Sequence, residues 1–151
     1  MNRPPTGFFV FNHTIMKEIL VSTKDMARLR ERIEIARSGG LKAPVNLSLL
    51  ISELDRAKVL PPEKMPADVI TMNSIITMEY LNSSKTMQIQ LVYPEQADVA
   101  RQKISIFAPV ATALLGYRVG DIVEWKIPTG MAQMKITNIV YQPEAAGDFN
   151  V

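Results

Sequence analysis

Apolar residues recur along this chain with two periods, and the change falls near residue 66. In the first half the spacing is helical. Met26, Leu29, Ile33 and Ala36 lie three and four residues apart, while Arg28, Arg30, Glu31, Arg32 and Glu34 occupy the other faces. Ser22-Thr23-Lys24-Asp25 precedes this stripe as a capping-box-like start, with a hydroxyl for the free N–H groups and an acid in the first turn. Ser38-Gly39-Gly40 ends the helix, and Pro44 opens a second one with Leu47, Leu50, Ile51, Leu54 and Ala57 on its apolar face. Pro61-Pro62 should stop it. Two amphipathic helices joined by a short glycine-containing loop predict an antiparallel hairpin, each arm about 15 residues and ~24 Å long. An isolated pair this short is marginal, so its base should pack on the second half. Ahead of it, Lys17 to Val21 reads as a short strand.

After a linker at Glu63 to Pro66 the pattern alternates with period two. Ser74 to Leu81 and Thr86 to Tyr93 read as strands joined by the turn Asn82-Ser83-Ser84-Lys85. Ile89, Leu91 and Tyr93 share one face, opposite Gln88, Gln90 and Val92. Pro94 to Arg101 is a polar connection. Ile104-Ser105-Ile106-Phe107 is a further strand, Pro109 stops it and opens a helix over Ala111 to Leu115, and Gly116 supplies a left-handed cap. Leu114 and Leu115 should be buried, because so short a helix needs packing to exist. Gly120-Asp121 turns the chain into the strand Ile122 to Ile127, with Val123, Trp125 and Ile127 on one face. Pro128-Thr129-Gly130 leads into a long strand, Met131 to Tyr141, bulged near Asn138, and Gln142 to Val151 should be irregular. The fold class predicted is α+β: a helical hairpin, then a curved antiparallel sheet with one short helix.

Composition narrows what this fold can do. At 151 residues, 47% of them apolar, the chain suffices for one ordinary domain or a small domain with an appendage. Its formal net charge of +2, with acids and bases mixed, leaves no basic stripe, so strong direct nucleic-acid binding is not expected. The absence of cysteine and the single histidine exclude thiolate sites and argue against a histidine metal site within one chain. No apolar run approaches a membrane span, and Gly7 to Phe11 is too short for a signal-peptide core, so the reading is a cytoplasmic protein. Residues 1–15 read as an N-terminal extension: Pro4-Pro5-Thr6-Gly7 discourages regular structure, Phe8-Phe9-Val10-Phe11 is a sticky patch, and His13 is an exposed histidine. Met16 offers an alternative start behind it.

No catalytic constellation is present: neither a nucleophile–histidine pair nor a phosphate-binding glycine loop occurs, and no cofactor is called for. Glu31 and Glu34 read as a solvated helix surface, Met26, Met72, Met78, Met87, Met131 and Met134 as core filler, and Trp125 as core or pocket wall. The residues themselves point to a protein-interaction module.

Ile104-Ser105-Ile106-Phe107-Ala108-Pro109, Ala113-Leu114-Leu115-Gly116 and Val119-Gly120-Asp121 resemble the C-terminal domain of the Gre transcript-cleavage factors, with their I-S-x-x-S-P, A-L-L-G-K and V-G-D pattern. A further set of blocks resembles the family of regulators of nucleoside diphosphate kinase. These are Glu53-Leu54-Asp55-Arg56-Ala57, Met65-Pro66, Asp68-Val69-Ile70-Thr71-Met72-Asn73-Ser74, Leu91-Val92-Tyr93-Pro94 and Tyr141-Gln142-Pro143-Glu144-Ala145-Ala146-Gly147-Asp148. The likeness runs from about Lys17 to the C-terminus. It implies a coiled-coil finger at 16–62, an FKBP-like domain at 63–151, and a monomer that docks at the secondary channel of bacterial RNA polymerase. In Gre factors the segment before the short helix touches the rim of that channel. Carried over by position, the contacts are Ser105, Phe107 and Pro109, with Phe107 where the family has an acid and Ala108 where it has a second serine.

Cleavage factors also carry acids at the finger tip, which help hold a second Mg²⁺ in the polymerase active site. Such a cation needs oxygen ligands. Here the tip residues are Arg37, Gly39, Gly40 and Lys42, with bases and no acid. The resemblance therefore implies a binding protein that competes with Gre-type factors without stimulating cleavage. Two alternatives stand beside it. One is an FKBP-type prolyl isomerase, for which Trp125, Tyr93, Tyr117 and Phe107 would have to form a pocket. The other is indirect control of nucleoside diphosphate kinase level.

Overall fold

The computed structural model describes residues 18–39 and 47–151. The extension at 1–15 with Phe8–Phe11 and His13, and also Lys17, Gly40, Lys42 and Pro44, lie outside the described residues.

A three-residue strand, β1 (Leu20–Ser22), runs directly into helix α1 (Thr23–Arg37). Ser22 is the cap that the sequence predicts, its Oγ accepting from the Asp25 N–H at 3.0 Å. Leu29, Ile33 and Ala36 are buried along one face, with Met26 half-buried beside them. Helix α2 (Leu47–Asp55) returns antiparallel, and Arg30 of α1 donates to Asp55 at 2.9 Å.

That second helix ends earlier than its apolar stripe suggests. Instead of running through Ala57 to Pro61, the chain leaves α2 at Asp55 and forms β2 (Lys58–Leu60), parallel to β1. The Lys58 N–H donates to the Ile19 carbonyl at 2.9 Å. Two causes act together. The β1 backbone needs partners, and Leu60, standing before Pro61, favours extended backbone. The segment marked as a linker holds one tight 3₁₀ turn, Pro62–Lys64.

The second half forms a five-stranded sheet from β3 (Ile75–Tyr80), β4 (Thr86–Val92), β5 (Lys103–Ser105), β6 (Ile122–Ile127) and β7 (Gly130–Tyr141). Their spatial order is β5-β4-β3-β7-β6. Most pairs are antiparallel, as expected, but β5 lies parallel to β4. Two 3₁₀ turns, Pro94–Gln96 and Val99–Arg101, carry the chain across so that it re-enters in the same direction. Ile89, Leu91 and Tyr93 are buried as their period requires, and Val92 on the opposite face is buried too. The register of β3 against β7 slips on either side of Asn138, so that Thr137 and Val140 stand opposite no residue of β3. The tail is not irregular throughout. Helix α4 follows α3 (Pro109–Leu114) in the chain and spans Pro143–Ala146. Gln142 fixes it, accepting from the Ala145 N–H and donating to the Pro66 and Val69 carbonyls, the latter two at 2.7 Å. Met131, read as core filler, is 54% exposed at the start of β7.

β5 stops at Ser105, short of the predicted Phe107, and α3 begins at Pro109. Leu114 and Leu115 are buried, at 0% and 2% exposure. Gly116 follows at φ +85°, and a Cβ placed there would stand 2.6 Å from the Ile19 Cβ. Only glycine satisfies both that left-handed turn and the close approach of the chain entering the hairpin. One buried cluster runs without a break from Ile19, Leu29 and Leu54 through Ile70 and Met72 to Leu91, Leu114 and Ile136. The hairpin base shares the core of the sheet, as so short a pair of helices requires.

Candidate functional site

Ser105, Phe107 and Pro109 come together at the turn from β5 into α3. The Ser105 Oγ accepts from the Phe107 N–H at 3.0 Å, and its carbonyl accepts from the Ala108 N–H at 2.8 Å. A hydroxyl bonding its own backbone two residues on is a turn device, and it ends the strand. Thr112 Oγ1 donates to the Ile106 carbonyl at 2.8 Å and pins the turn from the helix side. Ile106 is thereby driven into the core, while Phe107 lies half-buried over it and Pro109 faces solvent. The edge offered outward is apolar at Phe107 and Pro109.

At the far end of α1, Arg37 is exposed and stands 3.7 Å from Glu34. The Ser38 hydroxyl donates to the Glu34 carbonyl at 2.8 Å, and Gly39 takes φ +84°. Gly40 and Lys42, the other two predicted tip residues, are outside the described residues. From Glu34 to Glu53 the sequence contains no carboxylate. Among the described residues no group of three or more histidine, aspartate or glutamate side chains could hold a metal ion.

The residues that sequence reasoning missed sit at the hairpin base. Asp25, predicted as the acid of the first helical turn, is buried. Its carboxylate accepts from the Met72 N–H at 3.1 Å and from the Tyr93 hydroxyl at 3.2 Å. Burial is the main cause that raises its pKa to about 6, against the opposing pull of the Met72 N–H. Burial likewise pushes the Tyr93 phenol well above its ordinary value, with the Asp25 charge adding to it. Arg32 lies over the Tyr93 ring, 4.5 Å from its centroid, and also bonds Glu95, whose pKa falls because of that bond.

The second helix has a tie of its own. Arg56 donates to both Glu53 oxygens, at 3.0 and 2.9 Å, and to the Tyr117 hydroxyl at 3.2 Å. Tyr117 in turn donates to Glu53 at 3.4 Å, and burial raises its pKa to about 12. Apart from Arg56 and Glu53, one helical turn apart, the partners in the two ties are 47 to 68 residues apart in the chain, which is why no local pattern announces them. The one signal available was an acid at the helix start one turn before Leu29 of the apolar stripe. Tyr93 and Tyr117, two of the four aromatics that an isomerase pocket would need, are buried in these ties.

Comparison with known proteins gives a consistent result. The family model described as transcription elongation factor, GreA/GreB, C-term matches residues 65–141. The regulator of nucleoside diphosphate kinase of Escherichia coli strain K12 is 39% identical over 132 residues, covering 87% of this chain and 95% of that protein. Transcription elongation factor GreA of Syntrophotalea carbinolica is 26% identical over 137 residues, covering 85% of this chain and 87% of that protein. Among solved structures, the prokaryotic transcription elongation factor GreA/GreB from Nitrosomonas europaea superposes with a TM-score of 0.70 at 36% identity. It covers 82% of this chain and all (100%) of that one.

Proposed function

Because the chain belongs to the GreA/GreB family of transcription elongation factors, in the branch of the regulators of nucleoside diphosphate kinase, we propose that it binds bacterial RNA polymerase. In this reading it is a monomer that docks at the secondary channel and competes with Gre-type cleavage factors without stimulating cleavage itself. Residues 63–151 are the docking domain, 16–62 the finger, and 1–15 an extension. The apolar edge at Phe107 and Pro109, with Ser105 shaping the turn, meets the rim of the channel. Contact with nucleic acid is indirect, through the polymerase.

The observation that carries this reading is the chemistry of the finger end. Glu34, the last acid before Glu53, stands beside Arg37, and Glu53 is buried at the base. A finger end led by Arg37, with Lys42 five residues on in the sequence, brings positive charge toward a Mg²⁺ site, and like charges repel. α1 spans 15 residues, or about 22 Å, which also limits reach. The name of the Escherichia coli relative fits as a downstream consequence, a kinase level altered through transcription.

The test uses a backtracked elongation complex with end-labelled RNA. The protein alone should yield no cleavage, and added before a Gre factor it should reduce Gre-dependent cleavage. The Phe107→Asp variant, checked by its melting curve to be folded, should compete less well. Cleavage by this protein alone, or undiminished Gre cleavage at saturating amounts of it, refutes the proposal.

A further inference from the structure

The hairpin base carries a polar cleft that the rim segment and the finger end do not use. Its larger lobe, about 370 Å³, is walled on one side by Arg28 and Arg32 of α1 and on the other by Asn73, Tyr93 and Gln96. A second lobe of about 170 Å³ shares Asn73 and Gln96 and adds Lys103 at the start of β5. The cleft therefore spans the joint between finger and sheet. A volume of this order suits a small metabolite.

Lys103 and the amides of Asn73 and Gln96 give this lining donors that no other described residue uses. Three cationic side chains line the two lobes, with one carboxylate side chain, Glu95, and the last residue, Val151. Glu95 engages Arg32, which is also stacked on Tyr93 and so held rigidly in the wall. Arg28 and Lys103 have no aspartate or glutamate within 4.0 Å among the described residues, although Arg28 does lower the pKa of the buried Asp25 through space. The side-chain amides of Asn73 and Gln96 likewise make no hydrogen bond among the described residues.

Backbone geometry and one contact sharpen the case. Asn73 stands at φ 70°, in the left-handed region, fixed there by its N–H donating to the Leu91 carbonyl and its carbonyl accepting from Gln90 at 3.0 Å. A non-glycine residue held in that region at the mouth of a cleft fits a site with a preset side-chain direction. The guanidinium of Arg28 already takes an oxygen ligand here: it donates to a backbone oxygen of Val151, the last residue, at 2.8 Å. A guanidinium that donates to a backbone oxygen donates to a phosphate oxygen as well, in a charge-assisted bond.

We infer that this cleft is a binding site for a phosphate-bearing small molecule of nucleotide size. Arg28 and Lys103 neutralise the phosphates, and the Asn73 and Gln96 amides bond the remaining oxygens or the edge of a base. Bound there, the ligand bridges α1 and the sheet, and it displaces the Val151 oxygen from Arg28.

Isothermal titration of the full chain at low salt tests this, with inorganic pyrophosphate, GDP, ADP and unphosphorylated guanosine as probes. Pyrophosphate and both diphosphates should bind, binding should weaken with added salt, and guanosine should bind far more weakly. Tighter binding of a diphosphate than of pyrophosphate assigns the site to nucleotides, and equal binding assigns it to the phosphates alone. Arg28→Ala should weaken binding by about tenfold or more, the loss of one charge-assisted bond. Asn73→Gly keeps the left-handed backbone and removes only the amide, so it should weaken binding with an unchanged melting curve. Absence of binding by pyrophosphate and both diphosphates at millimolar concentration overturns the inference. Binding that neither variant weakens overturns it equally, because the ligand then sits elsewhere.

Discussion

The two ends of the helical hairpin are built on opposite principles. At the base, Asp25 and Glu53 are acids taken out of water and tied to groups far along the chain, Met72 and Tyr93 for one helix and Tyr117 for the other, with Arg56 one turn away completing the second tie. At the far end, Glu34 and Arg37 form a loose pair in solvent, 72% and 59% exposed. Buried polar ties are costly to break because the abandoned partner stays desolvated. Exposed pairs contribute little and are exchanged freely. The base therefore fixes how the hairpin leaves the sheet, while the end is open to chemical variation.

The comparison breaks first at Gly116, where the base touches the body. Gly116→Ala should cost about 2–5 kcal/mol, the sum of a left-handed backbone penalty and overpacking against Ile19. Chemical denaturation would measure it, and an unchanged midpoint would show that the hairpin base does not rest there. A smaller loss is expected at the polar tie. Tyr93→Phe leaves the Asp25 carboxylate one donor short and should cost about 1–3 kcal/mol. The ring and its contact with Arg32 remain, so the loss reports the hydroxyl.

The same tie should be visible in pH. Asp25 has its pKa raised to about 6 in the folded protein from 3.8, so the folded state holds the proton more tightly than the unfolded chain. Below about pH 4 the carboxyl is neutral in both states, and burial carries no ionisation cost. As pH rises from about 4 to about 6 the unfolded chain ionises first, and stability falls. Through that window wild type should lose up to about 3 kcal/mol relative to Asp25→Asn, at ~1.4 kcal/mol per pKa unit. Parallel melting-temperature profiles for the two proteins would contradict the buried-acid assignment. The smallest effect belongs to the far end, where Arg37→Ala should change stability by about 0.5 kcal/mol or less. A larger loss would mean that the end is tied down as the base is.

Much of this architecture was legible in the chain. Ser22 capped the helix it was expected to cap, the period-two runs became β3 and β4, and Pro109 and Gly116 bracketed the short helix. The bulge fell around Asn138. These are local decisions, taken by backbone sterics, capping hydrogen bonds and the alternation of apolar side chains over a few residues. The basic, acid-free finger end was equally a property of the sequence.

What the chain did not announce was decided by partners distant in sequence. Lys58–Leu60 abandoned a helical stripe because β1 offered it an edge. β5 joined β4 in parallel, and the tail formed α4 because Gln142 found the carbonyls of Pro66 and Val69. Asp25 has the same sequence neighbourhood whether it faces water or Tyr93. Only the packing of the hairpin on the sheet removes it from solvent, supplies its two donors and opens beside it the cleft between Arg28 and Asn73. Burial and long-range pairing are properties of the assembled core, so no local pattern carries them.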